Sequence, residues 1–119
     1  MSDNFLVVLS KEFAVDIIKL TSVLRKRGQF NSVIDQLLRS GTSIGANIHE
    51  GNYAASRADF INKFQIALKE CFETEYWLEI FKESGILSGE EYGRMFLKCT
   101  KLRRLLSASI QTAKKNREG

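Results

Sequence analysis

Apolar residues return at intervals of three and four along four stretches of this chain, with glycines and capping residues between them. That pattern predicts four helices near residues 10–27, 32–55, 56–84 and 88–114, joined by short turns. In the first, Phe13, Ile17, Leu20 and Leu24 form the core stripe. Ser10 is placed to cap it, Arg25-Lys26-Arg27 suit its C-terminal dipole, and Gly28 suits its stop. Residues 1–9 read as a lead-in whose run Phe5-Leu6-Val7-Val8-Leu9 lies against the bundle, extended or as an early helical turn.

The second helix carries Val33, Leu37, Ile44, Ile48 and Ala55 on one face, with Ser32-x-x-Asp35 as a weak capping box. Its centre is unusual: Ser40-Gly41-Thr42-Ser43-Ile44-Gly45-Ala46-Asn47-Ile48-His49-Glu50-Gly51 has the glycines of a loop and the periodicity of a helix. Each interior glycine costs about 1 kcal/mol relative to alanine. Glycines kept on or beside the core face therefore predict that a neighbouring helix comes close there. On another flank, Arg39, Ser43, Ala46 and Glu50 follow at helical spacing, charged at the ends and small in the middle. They are either a solvated face or a subunit contact.

Helix three begins after the turn Tyr53–Arg57, with Ser56-x-x-Asp59 as its cap. Phe60, Phe64, Ala67, Cys71, Leu78 and Phe81 form the core face, and Ile61, Leu68, Phe72 and Tyr76 extend it to one side. Ile66, Trp77 and Ile80 lie toward the back. This apolar arc exceeds what one surface helix needs, so Trp77 and Ile80 are expected between chains of a homo-oligomer. Glu75 falls inside the arc and requires a partner, with Arg39, Arg103 and Asn47 as candidates. Ser84-Gly85 ends the helix. Leu87-Ser88-Gly89-Glu90-Glu91-Tyr92 then combines a capping box, Ser88 with Glu91, and a hydrophobic staple, Leu87 with Tyr92. Helix four continues through Tyr92, Met95/Phe96, Cys99, Leu102, Leu106, Ile110 and Ala113.

The expectation is an all-α, antiparallel up-down four-helix bundle. The 119 residues, without proline or a low-complexity linker, suit one domain over 1–119, with 1–9 as the lead-in and 115–119 as a frayed basic tail. Cys71 and Cys99 fall on apolar faces and read as buried free thiols in a reducing cytoplasm. The longest apolar run is too short to cross a bilayer, so a cytoplasmic protein without a membrane partner is expected.

Charge changes the picture more than composition does. The net charge is +4 overall, but residues 59–93 carry −5 and residues 94–119 carry +7. Arg94, Lys98, Lys101 and Arg104 share the outer face of helix four, and Lys114, Lys115 and Arg117 extend it. This row suits a phosphate backbone. No aromatic is interleaved on that face, so base-specific readout is not expected. The same cations could instead pair with the acidic side chains of helix three, in the same chain or a neighbouring one.

Little points to catalysis. His49 is the single histidine and lies on a helix flank, away from any Glu-x-x or cysteine pair, so neither a bundle di-iron motif nor a zinc site is expected. No phosphate-cradling glycine motif occurs. The glutamates of helix three, Glu70, Glu73, Glu75 and Glu79, are spaced for pairing with lysines. No enzyme, metal or cofactor is expected.

The stretch Ser43-Ile44-Gly45-Ala46-Asn47-Ile48-x-Glu50-Gly51, preceded by Gln36-x-x-Arg39-Ser40, resembles the signature of the four-helix-bundle proteins named after intervening sequences in 23S ribosomal RNA genes. Asp59-Phe60-Ile61-x-Lys63 and Ala67-Leu68-Lys69-Glu70, with Glu75-Tyr76-Trp77-Leu78 beyond them, are similar to that family too, and the likeness spans nearly the whole chain. Position 45 departs from it, being often proline in the family and glycine here. The resemblance implies an antiparallel four-helix bundle. A relative in fold, the accessory variability determinant of diversity-generating retroelements, implies a pentamer that works with a reverse transcriptase and nucleic acid. Two functions are therefore expected in competition. One is an oligomeric nucleic-acid-binding or ribonucleoprotein accessory factor, with RNA or DNA as partner. The other is a structural or protein-interaction module whose charges pair between subunits.

Overall fold

The computed structural model describes residues 4–118 and contains four α-helices: α1 (Asn4–Lys26), α2 (Asn31–Asn52), α3 (Arg57–Glu83) and α4 (Gly89–Glu118). No strand occurs among the described residues. The molecule measures 52 × 21 × 20 Å. At 1.5 Å per residue, α4 spans about 45 Å, so the helices run along the long axis. Short turns join neighbours that pack side by side, which makes the bundle antiparallel and up-down. Three seams are well packed, α1/α2, α2/α3 and α3/α4, whereas the fourth, α1/α4, is the sparsest.

The turns follow from local chemistry. Gly28 and Gly85 adopt φ of 80° and 79°, left-handed values that glycine reaches without a Cβ clash. Each closes a Schellman motif. The Gln29 N–H donates to the Leu24 carbonyl (3.2 Å) and the Ile86 N–H to the Phe81 carbonyl (2.8 Å). Ser56 caps α3, its hydroxyl accepting from the Asp59 N–H at 3.1 Å. Before α4 the capping box is complete: Ser88 Oγ accepts from the Glu91 N–H and Glu91 Oε1 accepts from the Ser88 N–H, each at 3.0 Å. The Ser88 N–H, and then Arg27, hold the Glu91 carboxyl below its usual range.

Two expected caps are corrected. α1 is already helical at Asn4, so most of the expected lead-in belongs to it, while residues 1–3 lie outside the described residues. Ser10 is buried in mid-helix and donates to the Val7 carbonyl at 3.2 Å. α2 begins at Asn31 after Phe30, which offers no side-chain cap. Asp35 is drawn instead to Arg25 across the turn, and Arg25 also donates to Asn31 Oδ1 at 3.0 Å. At the other end, residues 115–118 continue α4, so the tail expected to fray is helical that far. Ala55 lies beyond α2 and is exposed, and Ile34 takes the core position at the start of that helix while Val33 is half-buried.

The core is one cluster drawn from all four helices, including Phe13, Ile17, Ile44, Ile48, Phe64, Leu78, Phe81, Leu102 and Leu106. The glycines of α2 decide how closely its neighbours approach. A Cβ at Gly41 would fall 2.8 Å from Ile17 Cγ1, and one at Gly45 would fall 3.3 Å from the Ser10 carbonyl oxygen and hydroxyl. Gly51 turns the other way, where a Cβ would meet the Phe64 ring at 2.8 Å. Across α2/α3 the buried Thr74 hydroxyl donates to Ser40 Oγ at 3.0 Å. Across α3/α4 the buried Glu75 accepts from Arg103 Nε at 2.7 Å. Cys71 and Cys99 are buried free thiols facing each other across the same seam. The Cys99 thiol donates to the Cys71 carbonyl at 3.5 Å, and the neighbouring Cys71 side chain, with burial, pushes the Cys99 thiol far above its usual range.

Candidate nucleic-acid interface

α4 has a buried side that fixes its rotation. Met95, Cys99, Leu102, Leu106, Ile110 and Ala113 point into the core, and that orients the remaining positions outward. Between Tyr92 and Asn116 the helix carries Arg94, Lys98, Lys101, Arg103, Arg104, Lys114 and Lys115 and no acidic residue. Two of these cations are engaged within the chain. Arg103 pairs with Glu75, and its guanidinium lies 5.2 Å from the centre of the Phe72 ring. Lys98 reaches across to Asp16 of α1 at 2.6 Å. Arg94, Lys101, Arg104, Lys114 and Lys115 are exposed and form no ion pair among the described residues.

This row is bordered by the loosely packed α1/α4 seam. Arg27–Glu91 (3.3 Å) and Asp16–Lys98 bridge it. Beside the second bridge lies a cavity of about 220 Å³, walled by Leu9, Phe13 and Leu102 with Glu12, Asp16, Lys98 and Lys101. A shallower groove holds Arg94 with Asp16, Lys19, Arg27 and Glu91. Because α1 is helical from Asn4, Phe5 joins this edge. It is 56% exposed, with Lys101 Nζ 5.7 Å from its ring centre. The cationic row thus has an aromatic neighbour supplied by another helix. Leu97, 72% exposed, lies within the row itself.

The residues expected between subunits lie on α2 and α3. Arg39 pairs with Glu70 (3.1 Å) and with Glu73, both on α3. The Arg39 hydrogen bond, opposed by partial burial and aided by Trp77, holds the Glu73 carboxyl below its usual range. Ser43 donates to the Arg39 carbonyl at 2.6 Å, and Glu50 pairs with Lys63 at 3.2 Å. Ala46 is exposed in a groove with Val7, Lys11, Ala14, Gly45, His49 and Glu50. Trp77 is half-buried and donates to Glu73 Oε2 at 3.2 Å, and Ile80 is half-buried too. Phe72 and Tyr76, which periodicity placed at the side of the core face, are each 54% exposed. Val8, Val15 and Ile18 leave a further apolar strip on α1. His49 is exposed against Tyr53, with ring centres 5.1 Å apart. Among the described residues no helix is long and apolar enough to cross a membrane.

Fold and surface together define an up-down helical bundle whose last helix displays a cationic face, five of its cations without an ion pair among the described residues. The sequence matches the 23S rRNA-intervening sequence proteins over residues 3–108, and the chain belongs to that family. It is also similar to a crystal structure of a protein of unknown function from the S23 ribosomal protein family of Bacteroides thetaiotaomicron. Identity is 45%, with 88% of this chain and 97% of that chain covered and a TM-score of 0.84. No curated protein matches the chain.

Proposed function

We propose that this protein is a non-enzymatic, homo-oligomeric accessory factor that binds nucleic acid through the outer face of α4. The observation that carries the reading is the acid-free run from Tyr92 to Asn116, in which five cations have no ion-pair partner among the described residues. Contact with phosphates releases counterions, so log K is expected to fall against log salt with a slope of about −0.7 to −0.9 per neutralised phosphate. Repetition of the face in an oligomer would raise its avidity. The exposed strips Val8, Val15, Ile18 and Phe72, Tyr76 are the surfaces that favour association; five copies is the number the family resemblance implies. RNA or DNA is the partner proposed, and a reverse transcriptase remains a family-level analogy.

A second reading, in which the charges serve packing and assembly, draws support from Arg103–Glu75 and Lys98–Asp16, both satisfied within one chain. Reversing Arg94, Lys101 and Arg104 to glutamate separates the two. Lost binding with unchanged mass by light scattering supports the nucleic-acid reading. Dissociated subunits, with no binding by the wild type at low salt, support the other. A wild-type monomer at micromolar concentration would remove the oligomer from the proposal.

A further inference from the structure

We infer that the strand this face accepts is single-stranded, with an unpaired base stacking on Phe5 at the α1/α4 edge. The inference rests on the nucleic-acid reading above and names its substrate class. Phe5 is an aromatic ring more than half exposed, and it stands next to Lys101, a member of the cationic row. A backbone on Arg94, Lys101 and Arg104 would bring successive bases past that ring. Single strands bind in this way, by cations that track phosphates and aromatic faces that receive bases, whereas a duplex keeps its base faces stacked inside.

The neighbouring cavity favours the same choice. Its walls are apolar at Leu9, Phe13 and Leu102, and Lys101 stands at both the cavity and the ring. Glu12 and Asp16 share that cavity. Carboxylates repel a rigid ladder of duplex phosphates laid along the seam. They accept hydrogen bonds from the exocyclic amino groups of unpaired bases. Lys101 can move from the ring to a phosphate at small cost, because a cation–π contact at an exposed site is weak.

The test uses the full-length protein and fluorescence anisotropy with a labelled single strand of about 16 nucleotides, alone and annealed to its complement. The wild type is expected to bind the single strand more tightly. Phe5→Ala is expected to weaken single-strand binding by about 5- to 150-fold, the range of one lost base–aromatic stack, and to leave the duplex unaffected. Phe5→Trp is expected to restore binding. Lys101→Ala should lower the salt slope by about 0.7 on the single strand, and Phe5→Ala should leave that slope unchanged. Circular dichroism of each variant verifies the fold. Wild-type affinity in Phe5→Ala, or equal losses on single strand and duplex, would overturn the inference and leave the cationic face intact as a binding surface. Absence of binding to either form by the wild type would remove the face itself, and this inference with it.

Discussion

Gly41 and Gly45 lie one turn apart on α2, yet a side chain at each would meet a different obstacle. At Gly41 the obstacle is Ile17 Cγ1 at 2.8 Å, close to the Ile17 backbone and unable to swing away freely. Gly41→Ala is expected to destabilise by up to about 2 kcal/mol, overpacking of about 1–3 kcal/mol outweighing the gain of about 1 kcal/mol in helix propensity. At Gly45 the distances to Ser10 are 3.3–3.4 Å, and Gly45→Ala should be nearly neutral because a small shift of α1 offsets the propensity gain. Gly45→Leu should cost about 1–3 kcal/mol. Urea denaturation of the three variants checks the order, and a neutral Gly45→Leu would contradict close packing. Two of the ion pairs that α4 makes with its neighbours differ in the same graded way. Glu75 is buried, so Arg103→Ala strands a carboxylate in the core and should cost about 2–4 kcal/mol. The Lys98–Asp16 pair has side chains 47% and 33% exposed, and Lys98→Ala should cost at most about 1 kcal/mol.

For the helices as elements, the ends carry testable chemistry. The Glu91 carboxyl, held down mainly by the Ser88 N–H, has its folded pKa below the ordinary 4.5. Its contribution is therefore complete above pH 4.5 and is lost as pH falls through the depressed value. Glu91→Ala is expected to cost about 1 kcal/mol at pH 7, and the difference from wild type should shrink toward pH 3 in parallel denaturation series. Ends with such local chemistry were legible in the sequence: the Ser88–Glu91 box, Ser56, Gly28 and Gly85 are all where their residue types place them. The start of α1 was not, because Ser10 imitates a cap while lying inside the helix. The rotation of α3 was legible on its core side, at Phe60, Phe64, Ala67, Cys71, Leu78 and Phe81. Its flanks were legible in part: Ile61 is buried and Leu68 packs on the core as expected, whereas neighbouring helices decide that Trp77 is half-buried and that Phe72 and Tyr76 are exposed. The cationic row of α4 could be read from spacing alone, whereas the engagement of Lys98 by Asp16 and the approach of Phe5 to Lys101 join helices at opposite ends of the chain, which no local period encodes.

Across the whole molecule, the three well-packed seams all join helices that follow one another directly, and only the sparse α1/α4 seam joins the ends of the chain. This ordering has a kinetic consequence. Each hairpin can form by closing a short loop, so the entropy of bringing distant segments together is met last and for the smallest return. Helical proteins dominated by such local contacts fold in microseconds to milliseconds. The closing of α1 onto α4 should then follow the rate-limiting barrier. Asp16→Ala, which removes a bridge across that seam, is expected to speed unfolding while leaving the folding rate nearly unchanged. In stopped-flow mixing against urea, the unfolding limb of the chevron would shift and the refolding limb would superimpose on that of the wild type.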